Sequence, residues 1–179
     1  MNNLKRIPIK TRSIKTIYQN HWLLVEEHKV INLDNSEGIY GVLNYGDGVS
    51  VLAIDEKNNV YLINEYKYAV KKFMYQLPSG GIGKNEKPLL AAKRELLEET
   101  GLKAKNWKLL GITNPFPTTV TTTVYLYLAT NLKQIKKQEE GVNLYKFPLL
   151  KVLKMISKNT ITHSGSIVCI FKYLQLVRN

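Results

Sequence analysis

The segment KPLLAAKRELLEET, residues 87–100, constrains the fold more than any other part of the chain. Its apolar residues recur at the spacing of one helical face, which predicts an amphipathic helix. Gly101 follows it and favours the left-handed conformation that ends helices. Pro88 is tolerated in a first helical turn, and Asn85 is the predicted N-cap. The apolar stripe consists of Leu89, Ala92, Leu96 and Leu97.

Three glutamates on this helix point to its chemistry. Glu95, Glu98 and Glu99 stand at i, i+3 and i+4, so their side chains share one face, where like charges repel by a few tenths of a kcal/mol per pair. Arg94 can hold a glutamate through a charge-assisted fork. The glycine pair at 80–81 lets the preceding backbone approach the same face. Such a carboxylate platform is typical of a site for Mg²⁺ or, alternatively, Mn²⁺.

The remaining segments predict an α+β single domain over residues 1–179, with N-terminal strands in 1–45 and a catalytic core in 46–179. MYQLPSGGIG is predicted to be irregular because of its proline and glycines. LLKVLKMIS and GSIVCIFKYLQLV have helical periodicity. The predicted strands are HWLLVEEHKVINL, GIYGVLNY, VSVLAI, VYLINEYKY, NWKLLGIT, TTVYLYLAT and VNLYKF.

Composition limits the class of protein and its partners. The formal net charge is +12, but the lysines are scattered, which argues against a concentrated nucleic-acid groove. Cys169, the single cysteine, lies in an apolar helix and is expected to be a buried thiol in a reducing compartment. No apolar run reaches the roughly 20 residues of a membrane span. We therefore expect a cytoplasmic protein without a membrane partner.

GGIGKNEKPLLAAKRELLEETGL resembles the Nudix box, G-x5-E-x7-R-E-U-x-E-E-x-G-U, in which U is apolar. The resemblance implies the αβα sandwich of the Nudix hydrolases, with a mixed sheet around a central catalytic helix. The fixed positions of the box are met by Gly80, Glu86, Arg94, Glu95, Leu96, Glu98, Glu99, Gly101 and Leu102.

The resemblance also implies site roles. Glu95, Glu98 and Glu99 would hold the Mg²⁺ ions that bridge a diphosphate and activate water, with the backbone carbonyl of Ser79 as a further ligand. Arg94 and Glu86 would support them, so the catalytic set contains Arg94 as well as the three glutamates.

The flanking sequence resembles the ADP-ribose pyrophosphatase branch of the family. Glu65-Tyr66-Lys67 and the loop at residues 76–80 stand where that branch has Q-Y-R and E-L-P-A-G. Lys67 thereby replaces a phosphate-contacting arginine with a point charge. Pro117 stands where the branch has a proline in a substrate-binding turn.

Two further features follow from this resemblance. Branch members exchange N-terminal strands in a homodimer and sandwich the adenine between aromatic side chains, which assigns Trp22 and Tyr40 to substrate binding. In the branch, a mobile-loop glutamate is the catalytic base, and the sequence QEEG offers Glu139 and Glu140 without deciding between them.

The expected function is Mg²⁺-dependent hydrolysis of ADP-ribose, or of a related nucleoside diphosphate sugar, to AMP and a sugar phosphate. One alternative is a pyrophosphohydrolase acting on RNA 5′ ends or on dinucleoside polyphosphates. Another is a non-catalytic, ligand-sensing Nudix domain, against which the complete set of box glutamates argues.

Overall fold

A computed structural model describes residues 9–178, and the chain groups into two compact units. The first contains the chain up to Gly46 together with Phe116–Thr122. The second contains Asp47–Pro115 and the chain from Thr123 onward. The predicted segment 1–45 and the predicted domain 1–179 include residues 1–8 and 179, which lie outside the described part.

The first unit is an antiparallel meander of β1 (Ile9–Gln19), β2 (Leu24–Asn32) and β3 (Glu37–Asn44). Asn35 has a φ of 66° in the turn between β2 and β3, as a left-handed turn residue should. Strand β1 was not predicted from the sequence. Two register shifts interrupt its pairing with β2, which removes the regular alternation by which strands are recognised.

The threonine-rich segment of the first unit pairs with the end of β3 through a parallel bridge between Leu43 and Val120. The backbone N–H of Leu43 donates to the carbonyl of Thr119 at 2.8 Å, and the N–H of Thr121 donates to the carbonyl of Leu43 at 3.1 Å. The hydroxyl of Thr122 donates to the carbonyl of Gly46 at 2.8 Å. The threonines therefore extend the end of β3, a role that strand propensity alone did not reveal.

The second unit contains two sheets. One has the order β7-β4-β9-β8, in which β4 and β9 are parallel, and the other has the antiparallel order β10-β5-β6. The strands are β4 (Gly48–Ala53), β5 (Asn59–Lys67), β6 (Lys72–Gln76), β7 (Ser79–Gly81), β8 (Leu102–Thr113), β9 (Val124–Gln134) and β10 (Asn143–Pro148).

Three α-helices complete this unit. They are α1 (Pro88–Thr100), α2 (Leu149–Ser157) and α3 (Ser164–Arg178), and a short 3₁₀ turn spans Tyr68–Val70. No helix within residues 9–178 is long and apolar enough to cross a membrane.

Alternate side chains of β4 enter two separate cores. Val51 packs with Leu96 of α1, whereas Leu52 packs with Cys169 and Ile170 of α3. Because successive strand residues point to opposite faces, this strand carries helices on both sides. The predicted α+β class and its layered helix–sheet–helix arrangement are confirmed.

Two local predictions were wrong. Helix α1 is capped by the extended residue Lys87 without a side-chain hydrogen bond, and Asn85 instead has a φ of 63° in the preceding turn. The segment MYQLPSGGIG is not irregular throughout, because β6 ends at Gln76 and Ser79–Gly81 forms β7. Three backbone pairs with β4 stabilise that short strand despite its glycines.

Candidate active site

Helix α1 carries a carboxylate that is almost removed from solvent. Glu99 is 8% exposed, and the backbone N–H of Ser79 donates to its Oε2 at 2.8 Å. Burial raises the pKa of Glu99 to about 8; the Ser79 hydrogen bond opposes this shift, and the negative charge of Glu95 adds to it. The negative charge of Glu99 is poorly compensated by the protein, so this carboxyl is suited to binding a cation.

Glu95 lies directly under β7. A Cβ built on Gly80 would overlap its carboxyl group, so only glycine allows this approach. The side chain of Glu95 is 12% exposed and pairs with Nη1 of Arg94 at 2.5 Å. Burial raises the pKa of Glu95 in spite of that pairing.

Arg94 connects the parts of the box. Its Nε and Nη2 donate to the two carboxylate oxygens of Glu86 at 3.0 and 2.9 Å. Nη2 also donates to the carbonyl of Gly81 at 2.8 Å, and Nη1 donates to Glu98 at 3.2 Å. The guanidinium therefore holds the loop and the helix together through a charge-assisted fork.

The loop that follows β9 is attached to the end of α1. The backbone N–H of Glu139 donates to the carbonyl of Glu98 at 3.0 Å, and that of Val142 donates to the carbonyl of Glu139 at 3.3 Å. The side chains of Glu139 and Glu140 are exposed, and Gly141 has a φ of 86°. The backbone at Glu139 is thus anchored next to the cluster, while both carboxylates remain in solvent.

Lys67 also belongs to this neighbourhood. Its ammonium pairs with Glu65 at 2.6 Å, and the charges of both residues act on the pKa of Glu99 in opposite directions. The end of β5 therefore places one cation near Glu99, and the contact of Lys67 with a phosphate stays a prediction.

Ser166 and His163 support the loop at Leu77, and sequence analysis did not identify either residue. The N–H of Leu77 donates to Oγ of Ser166 at 2.8 Å, and this oxygen lies 2.8 Å from Nδ1 of His163. Burial lowers the pKa of His163, and the charge of Lys67 lowers it further, which favours a neutral imidazole. The hydrogen bond from Leu77 to Ser166 joins residues 89 positions apart in the chain, so no local motif indicates it.

The remaining predicted substrate residues lie in the first unit. Trp22 is 77% exposed, so it is not a core residue, and its ring meets that of His21 edge-on at 4.7 Å. Tyr40 is 38% exposed on β3. Pro117 lies in the segment that extends this sheet. Their roles in substrate binding stay predictions.

The donor set fits a divalent cation. Within residues 9–178, no three His, Cys, Asp or Glu side chains converge to enclose an ion, and Arg94 is paired with Glu95 and Glu98 instead. Two neighbouring carboxyls, Glu95 and Glu99, nevertheless have pKa values raised by burial. Hard oxygen ligands whose charge is poorly compensated suit Mg²⁺ or Mn²⁺.

Comparison with known proteins gives the class. The NUDIX domain model matches residues 44–160. The chain belongs to the Nudix family, and the prediction of a Nudix hydrolase is confirmed at the level of class.

Individual relatives narrow the position within the family. The ADP-ribose pyrophosphatase of Mycobacterium tuberculosis is 26% identical over 132 residues, covering 70% of this chain and 64% of that protein. The methanol dehydrogenase activator of Bacillus methanolicus is 27% identical over 140 residues, covering 75% of each. The chain thus spans just under two thirds of the first relative, and the likeness to that ADP-ribose pyrophosphatase agrees with the predicted branch.

A solved structure described as an ADP compounds hydrolase has the same fold. Its TM-score is 0.83 at 16% identity, with coverage of 95% of this chain and 94% of that one. The agreement supports the architecture of the described residues.

Proposed function

We propose that this protein hydrolyses the diphosphate bond of ADP-ribose, or of a related nucleoside diphosphate sugar, to a nucleoside monophosphate and a sugar phosphate. The observation that carries the proposal is the buried carboxyl of Glu99, which lies against the N–H of Ser79 on the same helix face as Glu95. The names of the M. tuberculosis relative and of the structural neighbour favour an ADP-containing substrate.

Glu95, Glu98, Glu99 and the carbonyl of Ser79 would hold the divalent ions. When bound, Mg²⁺ neutralises the diphosphate and lowers the pKa of a coordinated water. For Glu98 to join the set, its carboxylate must leave Arg94. Breaking this ion pair costs little, because its atoms are 3.2 Å apart and the side chain of Glu98 is 45% exposed to solvent.

Four residues around the proposed metal site have distinct roles. Gly80 brings β7 onto Glu95, and Ser79 fixes the orientation of the Glu99 carboxyl through its N–H. Arg94, on the helix, holds Glu86 of the preceding loop through a hydrogen bond from its guanidinium. Lys67 supplies a positive charge for a phosphate oxygen, as a point charge and not as a fork.

The proton of the attacking water would go to Glu139 or Glu140. Both lie in the loop attached to Glu98, and both carboxylates are exposed. Carboxylates bound to a metal are poor proton acceptors because their lone pairs are engaged. A loop carboxylate can approach after the substrate binds, which separates binding from proton transfer.

For the nucleoside, we propose stacking of the adenine on Trp22 and Tyr40 in a homodimer with exchanged N-terminal strands. The support is the exposure of both rings, Trp22 in the turn between β1 and β2 and Tyr40 on β3, in a unit that carries other exposed apolar side chains. Stacking on an aromatic surface is worth about 1 kcal/mol per pair. The single buried cysteine favours a cytoplasmic location.

A substrate panel with Mg²⁺ tests the proposal. ADP-ribose, other nucleotide sugars, dinucleoside polyphosphates and 5′-triphosphate RNA are compared by kcat/KM, with products identified by chromatography. We expect ADP-ribose or another nucleotide sugar to have the highest kcat/KM and to yield a nucleoside monophosphate. Preference for RNA or dinucleoside polyphosphates would replace the proposal, and no turnover of any compound would favour a ligand-sensing domain.

A further inference from the structure

The second unit contains a pocket on the flank of α1, beside the candidate active site. It has a volume of about 450 Å³ and lies between α1 and β8. That is within the range of small-molecule sites. We call it the α1–β8 pocket, and it is lined by Lys93, Arg94, Leu97, Glu98, Lys103, Ala104, Trp107 and Lys136.

The charges around this pocket are not balanced. Arg94 and Glu98 pair with each other. The three remaining charged residues are Lys93, Lys103 and Lys136, which are exposed and form no ion pair with any other residue in 9–178. Three free ammonium groups around one concavity attract an anion, and low-dielectric walls strengthen that attraction.

The rest of the lining is apolar and aromatic. Leu97, Ala104 and Trp107 supply it, and the indole of Trp107 is held in place by two contacts. Its Nε1 donates to the carbonyl of Ala104 at 3.2 Å, and its ring meets Tyr127 edge-on at 6.3 Å. A fixed aromatic surface beside cations suits a ligand with a planar ring and a phosphate.

The pocket also adjoins the candidate active site. Glu98 lines it and accepts, through its carbonyl, the hydrogen bond that anchors Glu139. The backbone of Lys136 donates to the carbonyl of Gly101 at the end of α1 and precedes the glutamate loop. A ligand here would contact the helix and the base of that loop together.

We propose that the α1–β8 pocket binds a nucleoside monophosphate, with the phosphate held by Lys93, Lys103 and Lys136 and the base against Trp107. Glu98 borders both this pocket and the proposed metal site, but the three lysines and Trp107 have no part in the proposed reaction, so binding here can be measured without turnover. It would make the enzyme responsive to a nucleotide other than its substrate.

Tryptophan fluorescence tests this directly, because the chain has two tryptophans. In a Trp22→Phe background, Trp107 is the sole reporter. AMP, inorganic phosphate and adenosine are titrated without divalent cations, which keeps the glutamate site from binding AMP through metal. We expect saturable quenching by AMP and at least tenfold weaker binding of either fragment.

Charge-matched variants assign the site. A triple variant should weaken AMP binding at least tenfold; it combines Lys93→Gln, Lys103→Gln and Lys136→Gln. The control combines Lys57→Gln, Lys108→Gln and Lys158→Gln, three exposed lysines outside the pocket, and should bind as the parent does. Equal loss in both triple variants, no saturation with AMP, or tighter binding of an oligonucleotide than of AMP would overturn the proposal. Circular dichroism of each variant separates loss of binding from loss of fold.

Discussion

The carboxylate of Glu95 occupies the space in which residue 80 would carry a Cβ. The φ of Gly80 is not positive. Glycine is therefore required at this position because Glu95 lies so close, and not because of the backbone conformation. A Cβ on the neighbouring Gly81 would have no heavy atom within 4 Å other than those of its own residue and its two chain neighbours. The two glycines of the PSGG sequence are therefore not equivalent.

This difference predicts the outcome of two alanine substitutions. Gly80→Ala must displace Glu95 or β7, and we expect kcat/KM to fall at least about a hundredfold because misplacement by about 1 Å has this effect. Gly81→Ala, the matched control, should stay within about threefold of wild type. Similar activities for the two variants would show that the contact between residue 80 and Glu95 is unimportant. Steady-state assays on ADP-ribose make the comparison.

Glu99→Gln should remove an anionic metal ligand while keeping the shape of the side chain. The amide oxygen can still accept the N–H of Ser79, so the fold should persist. We expect turnover to fall at least about a hundredfold, since metal-supplied charge stabilisation is worth several kcal/mol. Glu56→Gln, at an exposed turn position, is the control. Wild-type turnover in folded Glu99→Gln would exclude this residue as a required ligand.

The buried Glu99 makes stability depend on pH when metal is absent. Its pKa is about 8 in the folded chain against an ordinary value of 4.5, so between these values the folded state holds a proton that the unfolded state releases. The free energy of unfolding should therefore fall as pH rises from 4.5 toward 8. Urea unfolding in EDTA measures it, and Glu99→Gln should reduce this slope. An unchanged slope in that variant would contradict the assignment.

The loop glutamates predict a separation of kcat from KM. Glutamine at Glu139 or at Glu140 should lower kcat by roughly a hundredfold for one of the two, within the range for loss of a general base. KM should change little, because a base acts mainly in the transition state. If both single variants and the double variant turn over normally, water is activated elsewhere. Full kinetic curves at saturating Mg²⁺ are needed.

The exposed strands of the first unit predict a homodimer. Light scattering should give twice the chain mass of 20.5 kDa at micromolar concentration. Ile39 is 65% exposed on β3, and Ile39→Lys should shift the protein to monomers by placing charge on an apolar face. Ile112→Lys, at a position 52% exposed in β8, should not. A monomeric wild type would also remove any adenine site made from two chains.

Sequence reasoning succeeded where the signal was local and periodic. The Gly101 terminus of α1, with a φ of 71°, and the buried Cys169 both follow from spacing and composition. Of the predicted stripe, Leu89, Ala92 and Leu96 pack in the core, whereas Leu97 lines the α1–β8 pocket and the unpredicted Ala91 is buried. It failed where tertiary contacts decide. Strand β7 exists because β4 pairs with it, and Ser166 matters because a backbone N–H from Leu77 points at it. Neither contact leaves a pattern in the neighbouring residues.

The parallel pairing of β4 with β9 determines when the candidate active site on α1 can form during synthesis. Strands β5 to β8 and helix α1 lie between those two strands in the chain. During synthesis the glutamate helix therefore leaves the ribosome before β9 can join the sheet that covers its apolar face. Non-local pairing of this kind slows folding and leaves hydrophobic surface exposed meanwhile. The apolar face of the helix that carries the glutamates is thus uncovered until β9 has been synthesised.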